Sequence, residues 1–176
     1  HNAYDQRRGK TGSGIWLHGT PSAQFSSAPW ATDGCVAVAN PDLNHVVRTV
    51  QIRTTPVLIA DRLDWVPQQA VAAQRLQLGA LVNAWTLAKS RGDFDALMSL
   101  YAPDFQAEGR SLGAHREWLQ VDVARARGRG VRIDDASILA WGNGVDVRVI
   151  TFAEFVGNAR TGRIVRQYWK QQGGSW

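Results

Sequence analysis

Apolar residues along this chain follow two different rhythms. Up to residue 60 they come in short runs, at 14–17, 36–39 and 50–59, separated by loops rich in Gly, Pro, Thr and Asn. This is the texture of short strands whose ends carry functional residues. One short helix is predicted among them, over 41–47, with Asn40 as its cap and Pro41 at the first helical position, where a missing N–H costs little. Near Val71 the rhythm turns helical: Leu76, Ala80, Leu81, Ala84, Trp85 and Ala88 recur at three- and four-residue spacing, and Gly92 ends the run. Asp93 caps a second helix carrying Phe94, Leu97, Met98 and Tyr101, stopped by Pro103. Residues 105–110 read as a short strand or extended turn, and Ser111 caps a third helix carrying His115, Trp118, Leu119 and Val123. Three strands are predicted to follow, over 131–141 with a break after Asp134-Asp135, over 145–156 and over 163–170, the first two joined by the hairpin signal Asn143-Gly144. Helices followed by antiparallel strands predict an α+β unit whose helices cover one face of a curved sheet. Residues 61–70, with Asp61, Asp64, Pro67 and a Gln pair, connect the two parts.

Composition adds limits. The 176 residues are 44% hydrophobic, which suffices for one ordinary domain or two small ones. Lys and Arg outnumber Asp and Glu by 20 to 15, and the excess is densest at Arg125, Arg127, Arg129 and Arg132. That cluster reads first as a solvated helix end and turn; its functional alternative is attraction to a polyanion such as an acidic cell-wall polymer, and nucleic acid is not the expected partner. No apolar run is long enough for a membrane span. A single cysteine excludes an internal disulfide. His1, His18, Cys35 and His45 lack the paired spacing of zinc ligands, and Gly12-Ser13-Gly14 is not followed by the lysine and helix of a phosphate loop, so neither metal nor cofactor is expected.

Candidate chemistry centres on Cys35. It follows Thr32-Asp33-Gly34 and precedes the small, β-prone Val36-Ala37-Val38, so its sulfur sits at a turn into a strand. Taken alone it reads as a buried small hydrophobe. His18 changes that reading, because it too ends a β-like run and is followed at once by Gly19-Thr20-Pro21. A histidine beside a thiol can take its proton and leave a nucleophilic thiolate.

These elements, His18-Gly19-Thr20-Pro21, then a Ser-rich loop, then Asp33-Gly34-Cys35-Val36 and Asn40-Pro41-Asp42-Leu43, together with Asn2-Ala3-Tyr4-Asp5 and Gly9-Lys10-Thr11-Gly12-Ser13-Gly14-Ile15-Trp16, resemble the active-site signature of the murein L,D-transpeptidase (YkuD) catalytic domain. The resemblance implies a β-rich sandwich of which residues 1–62 are the C-terminal part. It also implies cysteine attack at the third residue of a murein tetrapeptide stem, release of D-alanine, and a thioester resolved by an amine (transpeptidase) or by water (carboxypeptidase). On this reading Cys35 is the nucleophile, His18 the base and later the acid, and the Gly34 and Cys35 N–H groups the oxyanion donors. Gly19 lets substrate pass the histidine, Thr20 belongs to the same loop, and Asn40 and Asp42 fix the loop after the nucleophile. The sequence departs from the family at Asp33, where a histidine is common and where a carboxylate opposes thiolate formation unless it points away or is paired, and at Ala37. The family's upstream strands are also missing, so the chain is expected to be a fragment or to have its sheet completed elsewhere.

Beyond a linker over 63–73, residues 74–176 resemble the NTF2-like (SnoaL-like) cone, through the helices around Trp85, the stretch from Phe94 to Phe105, and the strand ending Arg166-Gln167-Tyr168-Trp169. That fold usually encloses a pocket, with His115, Trp118, Trp141, Glu154 and Tyr168 as candidate lining. The order of the two units is similar to that of murein-trimming enzymes of curved and helical bacteria. The expected partners are then murein stem peptides, other cell-wall or shape proteins, or a second copy of the chain, in the periplasm or envelope of a Gram-negative bacterium after export by a signal not present in the chain. The rival expectation is a murein-binding or scaffolding protein with an incomplete site.

Overall fold

The computed structural model describes residues 2–10, 12–60, 62–141 and 147–176, with the backbone but not the side chain of Trp141. The hairpin signal Asn143-Gly144, together with Thr11, Asp61 and His1, lies outside the described residues. The chain divides into two units, His1–Thr55 and Pro56–Trp176.

In the N-terminal unit, Asn2 caps a short helix α1 (Ala3–Arg7) by accepting the Asp5 N–H at 2.9 Å. Two short strands, β1 (Leu17–His18) and β2 (Val36–Ala37), pair in parallel, and α2 (Asn40–Thr49) follows. The strands are shorter than the apolar runs predict, because only two residues of each find a ladder partner. The run over 50–59 forms no strand: the Thr55 hydroxyl accepts the Gln51 N–H at 2.8 Å and closes a turn in which Arg53 has a positive φ of 76°. Among the described residues of this unit, Ala39 is the one buried apolar side chain, while Trp16 and Trp30 are 70% and 99% exposed.

The C-terminal unit begins its helical part earlier than expected. Pro67 occupies the cap position and α3 runs Gln68–Arg91, so the last residues of the predicted linker are helical. Gly92 ends α3 at φ 73°, and Asp93 accepts the Ala96 N–H to start α4 (Phe94–Met98). Residues 105–110 resolve into a small hairpin, β3 (Gln106–Ala107) and β4 (Arg110–Ser111). Ser111 then caps α5 (Leu112–Ala126). The antiparallel sheet has the order β5 (Val131–Trp141), β6 (Val147–Val156), β7 (Arg163–Lys170), with an irregularity between Asp134 and Ser137 where Asp135 adopts φ 54°. Central β6 lies between two strands and is buried at all its positions except Phe155. Ile150 and Phe152 project from it onto Leu78, Val82, Trp85 and Ala88 of α3, with Leu97, Leu119, Val123 and Trp169 completing the core. The buried stripe of α3 thus differs from the predicted one: Leu76 is exposed, and Lys89 is fully buried.

Candidate active site

Parallel pairing of β1 and β2 brings His18 and Cys35 onto neighbouring segments: His18 ends β1, and Cys35 stands just before β2, two positions ahead of Ala37, the partner of His18. Leu17 lies opposite Val36 and His18 opposite Ala37, held by the Val36 N–H on the Trp16 carbonyl (2.8 Å) and the Val38 N–H on the His18 carbonyl (3.0 Å). Cys35 immediately precedes β2, so one pair of ladder bonds sets the spacing between its backbone and that of His18. The half-buried thiol donates to the Gly14 carbonyl (3.6 Å), and Nδ1 of His18 lies 2.7 Å from the Gly19 carbonyl oxygen. A carbonyl can only accept, so Nδ1 carries the proton in this hydrogen bond and Nε2 of the neutral ring is left as the basic nitrogen.

Two turns support this arrangement. The Thr32 hydroxyl donates to the Cys35 carbonyl (2.7 Å), closing a turn in which Gly34 sits at φ 105°, a conformation open to glycine. The ladder uses the Val36 N–H, while those of Gly34 and Cys35 lie outside it. On the other side, Asn40 brackets Thr20: its carbonyl oxygen accepts the Thr20 N–H and its amide donates to the Thr20 carbonyl, each at 3.0 Å. The buried Thr20 hydroxyl donates in turn to the Gln24 carbonyl at 2.6 Å. A Cβ on Gly19 would fall 2.0 Å from the Asn40 side-chain oxygen, so the glycine makes room for this clamp. Asn40 therefore spends its side chain on the loop after His18, and Ala39 takes the cap position of α2. Asp42 lies in the first turn of α2, where a carboxylate suits the helix dipole, and Asp33 is exposed. A recess of about 800 Å³ opens beside His18, walled by Gly19, Thr20, Pro21, Gln24 and the Ser26–Thr32 side of the loop.

Residues 1–59 match the L,D-transpeptidase catalytic domain family, YkuD. The N-terminal unit is YkuD-like. Over 99% of its length the chain also superposes on two solved structures: Bd1075 of Bdellovibrio bacteriovorus (TM-score 0.63, 23% identity, 64% of that chain) and the helical cell shape determining protein Pgp2 of Campylobacter jejuni (TM-score 0.62, 22% identity, 62% of that chain). The chain thus spans somewhat less than two thirds of either, and the likeness establishes a shared fold. No curated protein sequence matches it.

In the C-terminal unit, three of the candidate pocket residues, Glu154, His115 and Trp118, belong to a continuous chain of contacts. Glu154 is buried with Lys89, and Nε of Arg163 donates to its other oxygen at 3.0 Å. Asp122 accepts from Lys89 at 2.6 Å and from Arg163 at 2.9 Å. Lys89 lies 4.2 Å from the centre of the Trp85 ring, and Trp85 donates to the Tyr101 hydroxyl at 3.4 Å. Tyr101 packs edge-on against Phe105, Phe105 against His115, and His115 against the half-exposed Trp118, which the Arg163 guanidinium covers at 5.1 Å. Tyr168 is half-buried opposite Val149, and the Trp141 side chain lies outside the described residues. Burial pushes the Asp122 carboxyl up, but hydrogen bonds from Lys89 and Arg163 outweigh it and hold the group below its ordinary value. Burial likewise opposes the Arg163 charge and is outweighed by Asp122 and Glu154, whereas Tyr101 is raised chiefly by burial.

Sequence reasoning found Glu154 but missed Lys89, Asp122 and Arg163. The available signal was Lys89 itself, four residues beyond Trp85 and so on the same face of α3.

Proposed function

We propose that the YkuD-like unit carries the cysteine site of a murein L,D-carboxypeptidase or L,D-transpeptidase acting in the periplasm. The observation that supports this reading is the β1–β2 pairing, in which Cys35 and His18 belong to neighbouring segments two ladder positions apart, with Nδ1 of His18 committed to a backbone carbonyl.

The chemistry follows from that arrangement. Nε2 of His18 takes the thiol proton, and the Cys35 sulfur attacks the carbonyl carbon of the L-centre that bears the terminal D-alanine. The tetrahedral oxyanion accepts the N–H groups of Gly34 and Cys35. Collapse breaks the C–N bond; His18 returns its proton to the departing D-alanine amine, leaving a thioester. Water or an acceptor amine then attacks the thioester, His18 relays a proton to the sulfur, and the free thiol is regenerated. The recess beside His18, with its small and hydroxyl-bearing walls, is suited to an extended peptide. The fold shared with a helical cell shape determining protein supports a role in trimming or editing the wall. Among the described residues no helix is long and apolar enough to cross a membrane.

A second reading, a murein-binding or scaffolding protein, is favoured by the thiol's own hydrogen bond to Gly14 and by the scarcity of buried apolar residues around it. Thiol alkylation separates the two. On the catalytic reading Cys35 reacts with iodoacetamide at pH 7 about tenfold faster than a peptide cysteine, and His18→Ala removes the advantage. Equal rates in both proteins would favour the binding reading.

A further inference from the structure

One end of the C-terminal unit collects six arginines that the contact network above does not use. Arg91 closes α3 and Arg125 stands in the last turn of α5; the chain then runs Arg127-Gly128-Arg129-Gly130 into β5, whose second residue is Arg132, and Arg160 lies in the turn between β6 and β7. Hydrogen bonds and side-chain packing bring these segments together. The Arg127 stem fills the space beside Gly92, 2.6 Å from where a Cβ would stand. The Gly128 N–H donates to the Ser90 carbonyl at 2.8 Å, and the Gly157 N–H to the Gly130 carbonyl at 2.9 Å. Nε of Arg129 lies against Gly157.

All six arginines are exposed. Arg132 pairs with Asp134; the other five have no ion pair among the described residues. Among the carboxylates next in sequence to these arginines, Asp134 is taken by Arg132 and Asp93 is occupied in capping α4. Positive charge at a helix C-terminus offsets the helix dipole and accounts for Arg91 and Arg125. It also covers Arg127, the C-cap of α5, but not Arg129, Arg132 and Arg160, which lie beyond the helices.

Guanidinium groups pair bidentately with phosphate as they do with carboxylate, so a cluster of them suits a surface that presents many such anions side by side. A single-stranded nucleic acid would also need open aromatic faces for its bases. Here Phe155 is covered by Arg132 at 4.3 Å and Phe94 by Arg116 at 4.8 Å. Exposed Leu87 and Val121 stand one turn before Arg91 and Arg125, and no exposed large apolar residue stands among Arg127, Arg129, Arg132 and Arg160, so this surface is suited to adsorb rather than to insert.

We propose that this arginine end docks the C-terminal unit onto a bilayer surface bearing anionic phospholipid headgroups. The choice of a membrane over other polyphosphates rests on the envelope location in the proposed function. Adsorption of this kind gains about fivefold in affinity per arginine near the surface and is screened by salt.

The test is co-sedimentation of the full chain with vesicles of phosphatidylcholine alone and of phosphatidylcholine mixed equally with phosphatidylglycerol. The expected result is binding to the mixed vesicles alone, reversed by salt and weakened on the order of a hundredfold by combining Arg127→Gln, Arg129→Gln and Arg160→Gln. The matching Arg→Lys triple keeps most of the binding. Equal binding to both vesicles, or a glutamine triple that binds like the parent, overturns the proposal; so does duplex DNA binding more tightly than the mixed vesicles. D-alanine release is read separately. Its loss with vesicle binding intact counts against the murein chemistry alone, and the reverse counts against the membrane proposal alone.

Discussion

Lys89 is fully buried, yet its ammonium is satisfied by two carboxylates and lies over an indole face. Removing one member of such a set leaves uncompensated charge in a low-dielectric interior, whereas removing all of it at once need not. Lys89→Met is therefore expected to destabilise the C-terminal unit by about 3–5 kcal/mol, measured by urea denaturation. Asp122 gives a second handle. Its folded carboxyl titrates below the ordinary value of 3.8, so its stabilisation is complete above that value and is lost as the pH falls through the lower, folded one. An acid-unfolding curve should show a component below about pH 4 that Asp122→Asn removes. The contrast with Cys35 and His18 shows why those residues could be proposed from the sequence while the buried ion cluster could not. Cys35 and His18 stand in short motifs with glycine and turn residues around them. Lys89 and Glu154 are 65 positions apart, and a lysine in a helical sequence ordinarily reads as solvated.

Helix ends were the most legible elements, because their signals are local. Gly92, Asp93 and Ser111 stop or cap the helices at the positions their chemistry dictates. The strands of the YkuD-like unit were less legible: residues 50–59 have strand composition, but a strand also needs a neighbour, and the Gln51–Thr55 turn bond forms instead. The start of α3 was misplaced for a related reason, since Pro67 tolerates the cap position and the Gln pair after it continues the helix. Gly92 carries the sharpest prediction here. Its positive φ and the Arg127 stem against it mean that Gly92→Ala should cost about 1–2 kcal/mol in a thermal or urea melt, with Gly92→Asn milder because asparagine tolerates the left-handed region better.

The two units rest on different foundations. The C-terminal unit has a continuous core spanning three helices and the sheet, while the YkuD-like unit is held by a two-residue parallel ladder, the Asn40 clamp and turn hydrogen bonds, with its large apolar side chains exposed. Such a pair of strands needs further packing to be stable. The α+β order and the antiparallel sheet could be read from hydrophobic rhythm; the scarcity of core in the first unit could be anticipated only through the family resemblance, because each of its apolar runs looks like an ordinary strand. Catalysis makes the central claim about the whole chain, and mass spectrometry of murein tetrapeptide incubated with the chain and with Cys35→Ala tests it most directly. The account predicts loss of one D-alanine from the tetrapeptide with the native thiol and none with the alanine variant. A tetrapeptide of unchanged mass, or one trimmed equally by both proteins, would contradict it.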